Sequence, residues 1–281
     1  MAGKEDGRRN GGCCGAANMT LKLLLGRVQW FLSAQFAIDP IKIFRSMRGL
    51  PRYVRDLLRF RAGFKGRMEL VPCLHDWYEE GGTTKNEYFW QDLLVARKIF
   101  EVKPERHVDI GSRVDGFVAH VASFREIEVF DVRPITTQIP GVTFKQADLM
   151  KPVTEMAGYC DSLSCLHALE HFGLGRYGDP LDPAGFECGL INMSALLRKG
   201  GVFYLSVPIG IDRVEFNANR VFDPRIIINL AAGCTLRLMA LTVIRSDFIC
   251  EDYPLDEQKL AELASHRYAL GIFIFEKENE N

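Results

Sequence analysis

The sequence predicts an α/β fold: a mostly parallel sheet with helices on both faces. Two observations carry this. From residue 86 onward, short apolar strand-like runs alternate with amphipathic segments of helical length, the pattern of strand–helix–strand units. Four of the strand-like runs end in polar residues, as they do when strand ends face a ligand in such sheets. With 281 residues, 47% of them apolar, the chain can bury a core of one domain and still carry an extension.

The elements follow in order. In residues 86–100, NEYFWQDLLVARKIF, the side chains Phe89, Leu93, Ala96 and Phe100 fall on one helical face. RHVDIG (106–111) reads as a buried strand closing on glycine, followed by a helix near GFVAHVASF. Strands EIEVFD (126–131), VTFKQADL (142–149) and CDSLSCL (160–166) come next. Residues 185–201, GFECGLINMSALLRKGG, are expected to be a helix with basic residues in its last turn and glycine after them. VFYLSVP (202–208) is the fifth strand. DPRIIINLAAG starts a helix with an aspartate cap and a proline at the first position. TLRLMALTVI, a helical DEQKLAELA and YALGIFIF complete the chain, which has no internal repeat.

The N-terminal side is different. Residues 1–18 are Gly-rich and polar and read as a disordered tail. Residues 19–80 read as a helical, basic extension, leaving 81–281 as the main domain. Lys22, Arg27 and Gln29 interrupt the apolar run at 19–39, so no clean membrane span is expected. Residues 41–67 hold nine Lys or Arg against one acid, Asp56, with apolar side chains interleaved. Such a segment is either a solvated helical face or a surface for anionic lipid or an acidic partner.

A formal charge of −1 gives no global argument for nucleic acid. Eight cysteines without a C-x-x-C pair or zinc-type histidine spacing imply no metal site and a reducing, cytoplasmic-type compartment.

The polar strand ends are Asp109 with Gly111, Asp131, Asp148 and the cluster at His167. A dinucleotide fingerprint would need glycine at 111, 113 and 116, but 113 is arginine. Asp131 nevertheless lies 20 residues after Gly111, the distance at which a carboxylate accepts from ribose hydroxyls. A nucleoside without a pyrophosphate satisfies both facts. S-adenosylmethionine is such a ligand, and Asp109 would suit its positive charges while Asp148 would accept from the adenine amino group.

HVDIGSRVDGF, EVFDVRP, QADLM, SLSCLHALEHFGLGRYGDPLDP, YLSVPIG and FNANRVF resemble the domain-of-unknown-function 268 family, itself similar to class I S-adenosylmethionine-dependent methyltransferases. The resemblance covers roughly residues 75 to 276. It implies a Rossmann-like, seven-stranded, mostly parallel sheet with its last strand antiparallel. It also implies cofactor contacts at Asp109, Gly111 and Ser112, at Asp131 for the ribose, and at Asp148 and Leu149 for the adenine. Arg113 departs from the G-x-G-x-G loop of that class. The same features admit an alternative, a methyltransferase-fold protein that binds a nucleoside or a partner without catalysis.

HALEHFGLGRYGDPLDP (167–183) then falls where that class presents side chains to the methyl group and its acceptor. An alcohol acceptor benefits from a base, and histidine titrates near neutrality. His171 is the first candidate and His167 the second, with Glu170 orienting a ring or the ribose. Arg176, Tyr177 and Asp179 on the glycine-flexed loop suit a polar, sugar-like acceptor, with Asn217 and Arg220 completing the grip. H-A-L-E-H also matches an inverted zinc-peptidase motif, which needs a continuing helix. Gly173 and Gly175 argue against one.

Overall fold

The computed structural model describes residues 26, 28–82, 84–245, 247 and 249–278, so the tail expected at 1–18 lies outside the described residues. The chain divides into two compact units, Met1–Gly82 and Thr83–Asn281.

In the first unit, residues 28–36 are helical. Helix α1 (Pro40–Gly63) follows, with Pro40 at its first turn and Asp39 accepting from the Ile41 and Lys42 N–H groups as N-cap. Gly49 is its one buried residue, because a β-carbon there would lie 2.0 Å from the Leu74 carbonyl oxygen.

The second unit begins with helix α2 (Glu87–Val102) and strand β1 (His107–Ile110). A π-helical turn (Val114–Val118) runs into α3 (Ala119–Ala122). Strands β2 (Ile127–Asp131), β3 (Val142–Gln146) and β4 (Cys160–Leu166) precede helix α4 (Gly185–Leu196) and strand β5 (Leu197–Ile209). A small hairpin of β6 (Arg213–Glu215) and β7 (Asn219–Val221) leads to helix α5 (Pro224–Gly233). Strands β8 (Leu236–Ile244) and β9 (Cys250–Asp252), helix α6 (Glu257–Ala264) and strand β10 (Ala269–Lys277) complete it.

The main sheet has the order β3-β2-β1-β4-β5-β10-β8-β9. Strands β1 to β5 are parallel, and β10 is antiparallel to both its neighbours β5 and β8. This is the mostly parallel Rossmann-like sheet expected, with eight strands rather than seven; the extra one is the three-residue edge strand β9, paired with β8. The order reverses between β1 and β4, which makes their carboxyl ends the topological switch point.

Side chains alternate between two cores, one on each face. On one face Val95, Ile99, Phe117 and Val121 pack against Ile127, Val129, Tyr204 and Ile272. On the other, Leu190 and Met193 of α4, Ile227 of α5 and Leu263 of α6 cover Phe130, Leu163, Phe203 and Phe273.

Three local expectations need correction. The buried face of α2 is Gln91, Asp92, Val95, Ala96 and Ile99, while Leu93 and Phe100 are exposed. Two polar residues sit inside because they bond there: Gln91 Nε2 donates to Asp92, and Gln91 Oε1 accepts from the Ser206 hydroxyl. The helix expected over 185–201 stops at Leu196, because Leu197 is buried and pairs with Cys160 in the sheet. Arg198 then bonds Glu105 and Asp161 from the strand instead of closing a helix. The third strand ends at Gln146, leaving Asp148 and Leu149 on a loop.

Candidate functional site

Strand β1 delivers its chain end to a turn at Gly111, whose φ is +68° and whose N–H donates to the Phe130 carbonyl. A β-carbon there would meet Ala168 Cβ at 3.1 Å, so glycine serves both the left-handed backbone and the close approach. Asp109 is fully buried beneath this turn. It accepts from the hydroxyls of Ser112 (2.6 Å) and Ser164 (2.5 Å) and from the Ser112 N–H (3.0 Å). Burial pushes its carboxyl up to about 7, against the serine hydrogen bonds. Neither Asp109 nor Ser112 lines the cavity above; both fix its floor.

That cavity, of about 160 Å³, collects Gly111, Asp131, Asp148, Leu149, His167 and His171 in one lining. Both Asp131 oxygens are held by Arg133, at 3.1 and 2.7 Å from its guanidinium, with the Arg133 N–H adding a third bond. Arg133 also lies 4.3 Å over the Tyr177 ring. Asp148 accepts from the Met150 N–H at 3.0 Å, and the Leu149 carbonyl accepts from Asn192. Arg113 lines the wall too, paired with Asp115 and 5.1 Å from the centroid of Tyr88.

His167 follows β4 with φ +54°, an uncommon backbone for a histidine, and its N–H donates to the Ser206 carbonyl. Its Nδ1 is 2.6 Å from Glu170 Oε1, its Nε2 lies 3.3 Å from Glu87 Oε1 without hydrogen-bond alignment, and Tyr88 stacks on it at 4.6 Å. Burial alone would lower its pKa, but the Glu170 and Glu87 carboxylates outweigh it and raise it to about 9. His167 is therefore an imidazolium at neutral pH. Glu170 is wholly buried, with Oε2 lacking a partner, and Tyr268 donates to Glu87 at 2.7 Å.

His171, four residues further on at the end of the short 3₁₀ turn Leu169–His171, is the opposite case. Its Nδ1 stands 2.7 Å from the Ala218 carbonyl, which can only accept, so Nδ1 carries the proton and Nε2 keeps its lone pair. Burial lowers its pKa, opposed by Glu170, so the ring is neutral near pH 7. Tyr177 meets it edge-on at 5.4 Å.

The loop beyond is tied by backbone contacts. Asp179 accepts from the N–H groups of Gly173 (2.8 Å), Gly175 (3.2 Å) and Tyr177 (3.1 Å). Arg176 shares the Ala218 carbonyl with His171, at 2.8 Å. Two expected acceptor contacts stand elsewhere. Arg220 is buried and its guanidinium donates to the carbonyls of Glu170, Phe172 and Pro183, so it pins the loop from behind. Asn217 is exposed in the β6–β7 turn, outside the cavity lining.

Residues 138–236 match the model of a family described as a Caenorhabditis protein of unknown function, DUF268. No curated protein matches the chain. Among solved structures, the chain is similar to the 1,6-didemethyltoxoflavin-N1-methyltransferase of Burkholderia thailandensis, whose structure holds 1,6-didemethyltoxoflavin and S-adenosylhomocysteine. The two are 13% identical over 70% of this chain and 80% of that one, with a TM-score of 0.46. The N-methyltransferase NodS of Bradyrhizobium japonicum, with S-adenosylhomocysteine, is 13% identical over 70% of this chain and 90% of that one, at a TM-score of 0.46.

The DUF268 match spans the β3–β4 region, the histidine loop and α5. Within it, only Leu169–His171 of H-A-L-E-H is helical, as a three-residue 3₁₀ turn, so the geometry of a helical zinc-peptidase motif is not formed. The residues that sequence reasoning missed are Glu87, Tyr88, Arg133 and Tyr268. Arg133 carried a signal, a cation two residues after a candidate ribose carboxylate. The other three come from the two ends of the second unit, and no local pattern joins them.

Proposed function

We propose that the chain transfers a methyl group from S-adenosylmethionine to a hydroxyl oxygen of a small polyhydroxylated, sugar-like acceptor. The observation that carries this reading is His171: a neutral imidazole with Nδ1–H fixed on the Ala218 carbonyl and Nε2 left as a lone pair, on the wall of the switch-point cavity.

The residues present fit the cofactor. Gly111 leaves room that a β-carbon would take. Asp131 suits the ribose hydroxyls, since it lines the cavity and its present partner, Arg133, is half exposed. Asp148 and Leu149 suit the adenine edge. The cavity wall balances Asp131, Asp148 and Asp179 against Arg113, Arg133 and Arg176, so the fit rests on the placement of these carboxylates and not on net charge. When bound, S-adenosylmethionine supplies an electrophilic methyl on a good leaving group.

The chain's own part is positioning and proton removal. His171 Nε2 accepts the hydroxyl proton, the Ala218 carbonyl orients the ring, and Glu170, 3.8 Å from Nε2, stabilises the imidazolium that results. Arg176 and Tyr177 hold the acceptor's oxygens. Arg113, standing where the class has glycine, supports a second reading in which a nucleoside binds without catalysis.

Incubation with cofactor and a panel of hydroxylated small molecules separates the two. The account expects release of S-adenosylhomocysteine with at least one acceptor. It also expects a loss of about 10²- to 10⁴-fold in His171→Gln with cofactor affinity retained. Tight binding with no turnover across the panel favours the second reading.

A further inference from the structure

Helix α1 presents two rows that the proposed reaction does not use. Ile43, Phe44, Met47, Leu50, Val54 and Leu58 recur at spacings of three and four and share one stripe of the helix. Each is between 45% and 70% exposed. Alongside runs Arg45, Arg48, Arg52, Arg55 and Arg59, again at three and four. Gly49, the buried position, lies on a different side from the apolar stripe. The helix's one acid, Asp56, is paired with Arg52 and Arg55, and Arg48 and Arg52 lie over the Tyr78 and Trp77 rings; among the described residues no acid pairs with Arg45, Arg48 or Arg59. Upstream, Trp30, Phe31 and Phe36 are also exposed.

A water-facing stripe of six large apolar side chains flanked by cations is the signature of a helix lying in a bilayer interface. No helix among the described residues is long and apolar enough to cross a membrane. We propose that α1 docks in the plane of an anionic lipid surface, its apolar stripe in the acyl boundary and its arginine row on the headgroup phosphates. A nucleic acid would meet the arginines and leave the stripe in water. A second copy would cover the stripe but bring two arginine rows together. An anionic bilayer satisfies both rows at once. This inference is independent of the methyl-transfer reading.

Flotation of the full chain with vesicles tests it. The expected result is co-flotation with phosphatidylcholine–phosphatidylserine vesicles, none with phosphatidylcholine alone, and release as salt rises. The triple variant Met47→Glu, Leu50→Glu, Val54→Glu should lose flotation while keeping its circular dichroism, since all three side chains are exposed. Three results would overturn the proposal: no flotation with the mixed vesicles, undiminished flotation of the folded triple variant, or a wild-type dimer in light scattering that the variant converts to monomer without any vesicle binding. Should the variant fail to fold, the composition and salt dependence of the wild type decides alone.

Discussion

His167 and His171 are four residues apart and reach opposite charge states, and their partners are the reason. His167 sits between the buried Glu170 and the partly exposed Glu87 and is raised to about 9. His171 is lowered chiefly by burial, with Arg176 adding to it against Glu170 and the Ala218 carbonyl. The sequence ranked His171 first as base, yet the deciding contact comes from Ala218, 47 residues away, and no spacing rule reveals it. Asp109 shows the converse. A carboxylate at a strand end reads as a ligand contact, but three donors from Ser112 and Ser164 turn it inward.

The charge on His167 has a consequence for stability. Its folded pKa is above the unfolded value near 6.5, so its contribution is complete below that pH and is lost as pH rises through about 9. Asp109, raised to about 7, acts in the same direction at lower pH, because the folded state holds its proton longer than the unfolded one. Thermal melts should therefore fall in midpoint between pH 6.5 and 9, and His167→Gln should flatten that slope. An unchanged slope in the variant would place the titrating group elsewhere.

At the scale of elements, legibility followed the caps. Asp223 and Pro224 announced α5, and Asp223 accepts from the Arg225 N–H as a cap should. The end of α4 was misread because Arg198, Lys199 and two glycines imitate a helix stop, while the buried Leu197 starts a strand. The loop at 172–184 was legible as glycine-flexed but not in how it is held. Its hinge is Gly173, with φ +77° and space for no β-carbon, since one would lie 1.9 Å from the Asp182 carbonyl oxygen. Gly173→Ala should cost about 1–3 kcal/mol in denaturant unfolding and displace Asp179 from its three N–H partners. A variant with native stability would mean the loop is not set by that hinge.

For the whole molecule, a mostly parallel sheet with helices on both faces was readable because strands buried on two faces are written as apolar runs between helices. The edge strand β9 was not, since three residues, Cys250–Asp252, carry no periodicity. Net charge was the least informative global quantity. Nine basic residues against one acid within 41–67 leave the remaining residues net negative by nine, so near-neutrality conceals two segments of opposite sign.

The central claim is that the switch-point cavity holds S-adenosylmethionine, and calorimetric titration of that compound and of S-adenosylhomocysteine into the purified chain tests it most directly. The account predicts one site of roughly micromolar affinity for either, corresponding to about −8 kcal/mol, weakened in Asp131→Ala. Heat-silent titrations of both compounds into folded protein, or affinity unaltered by Asp131→Ala, would contradict it.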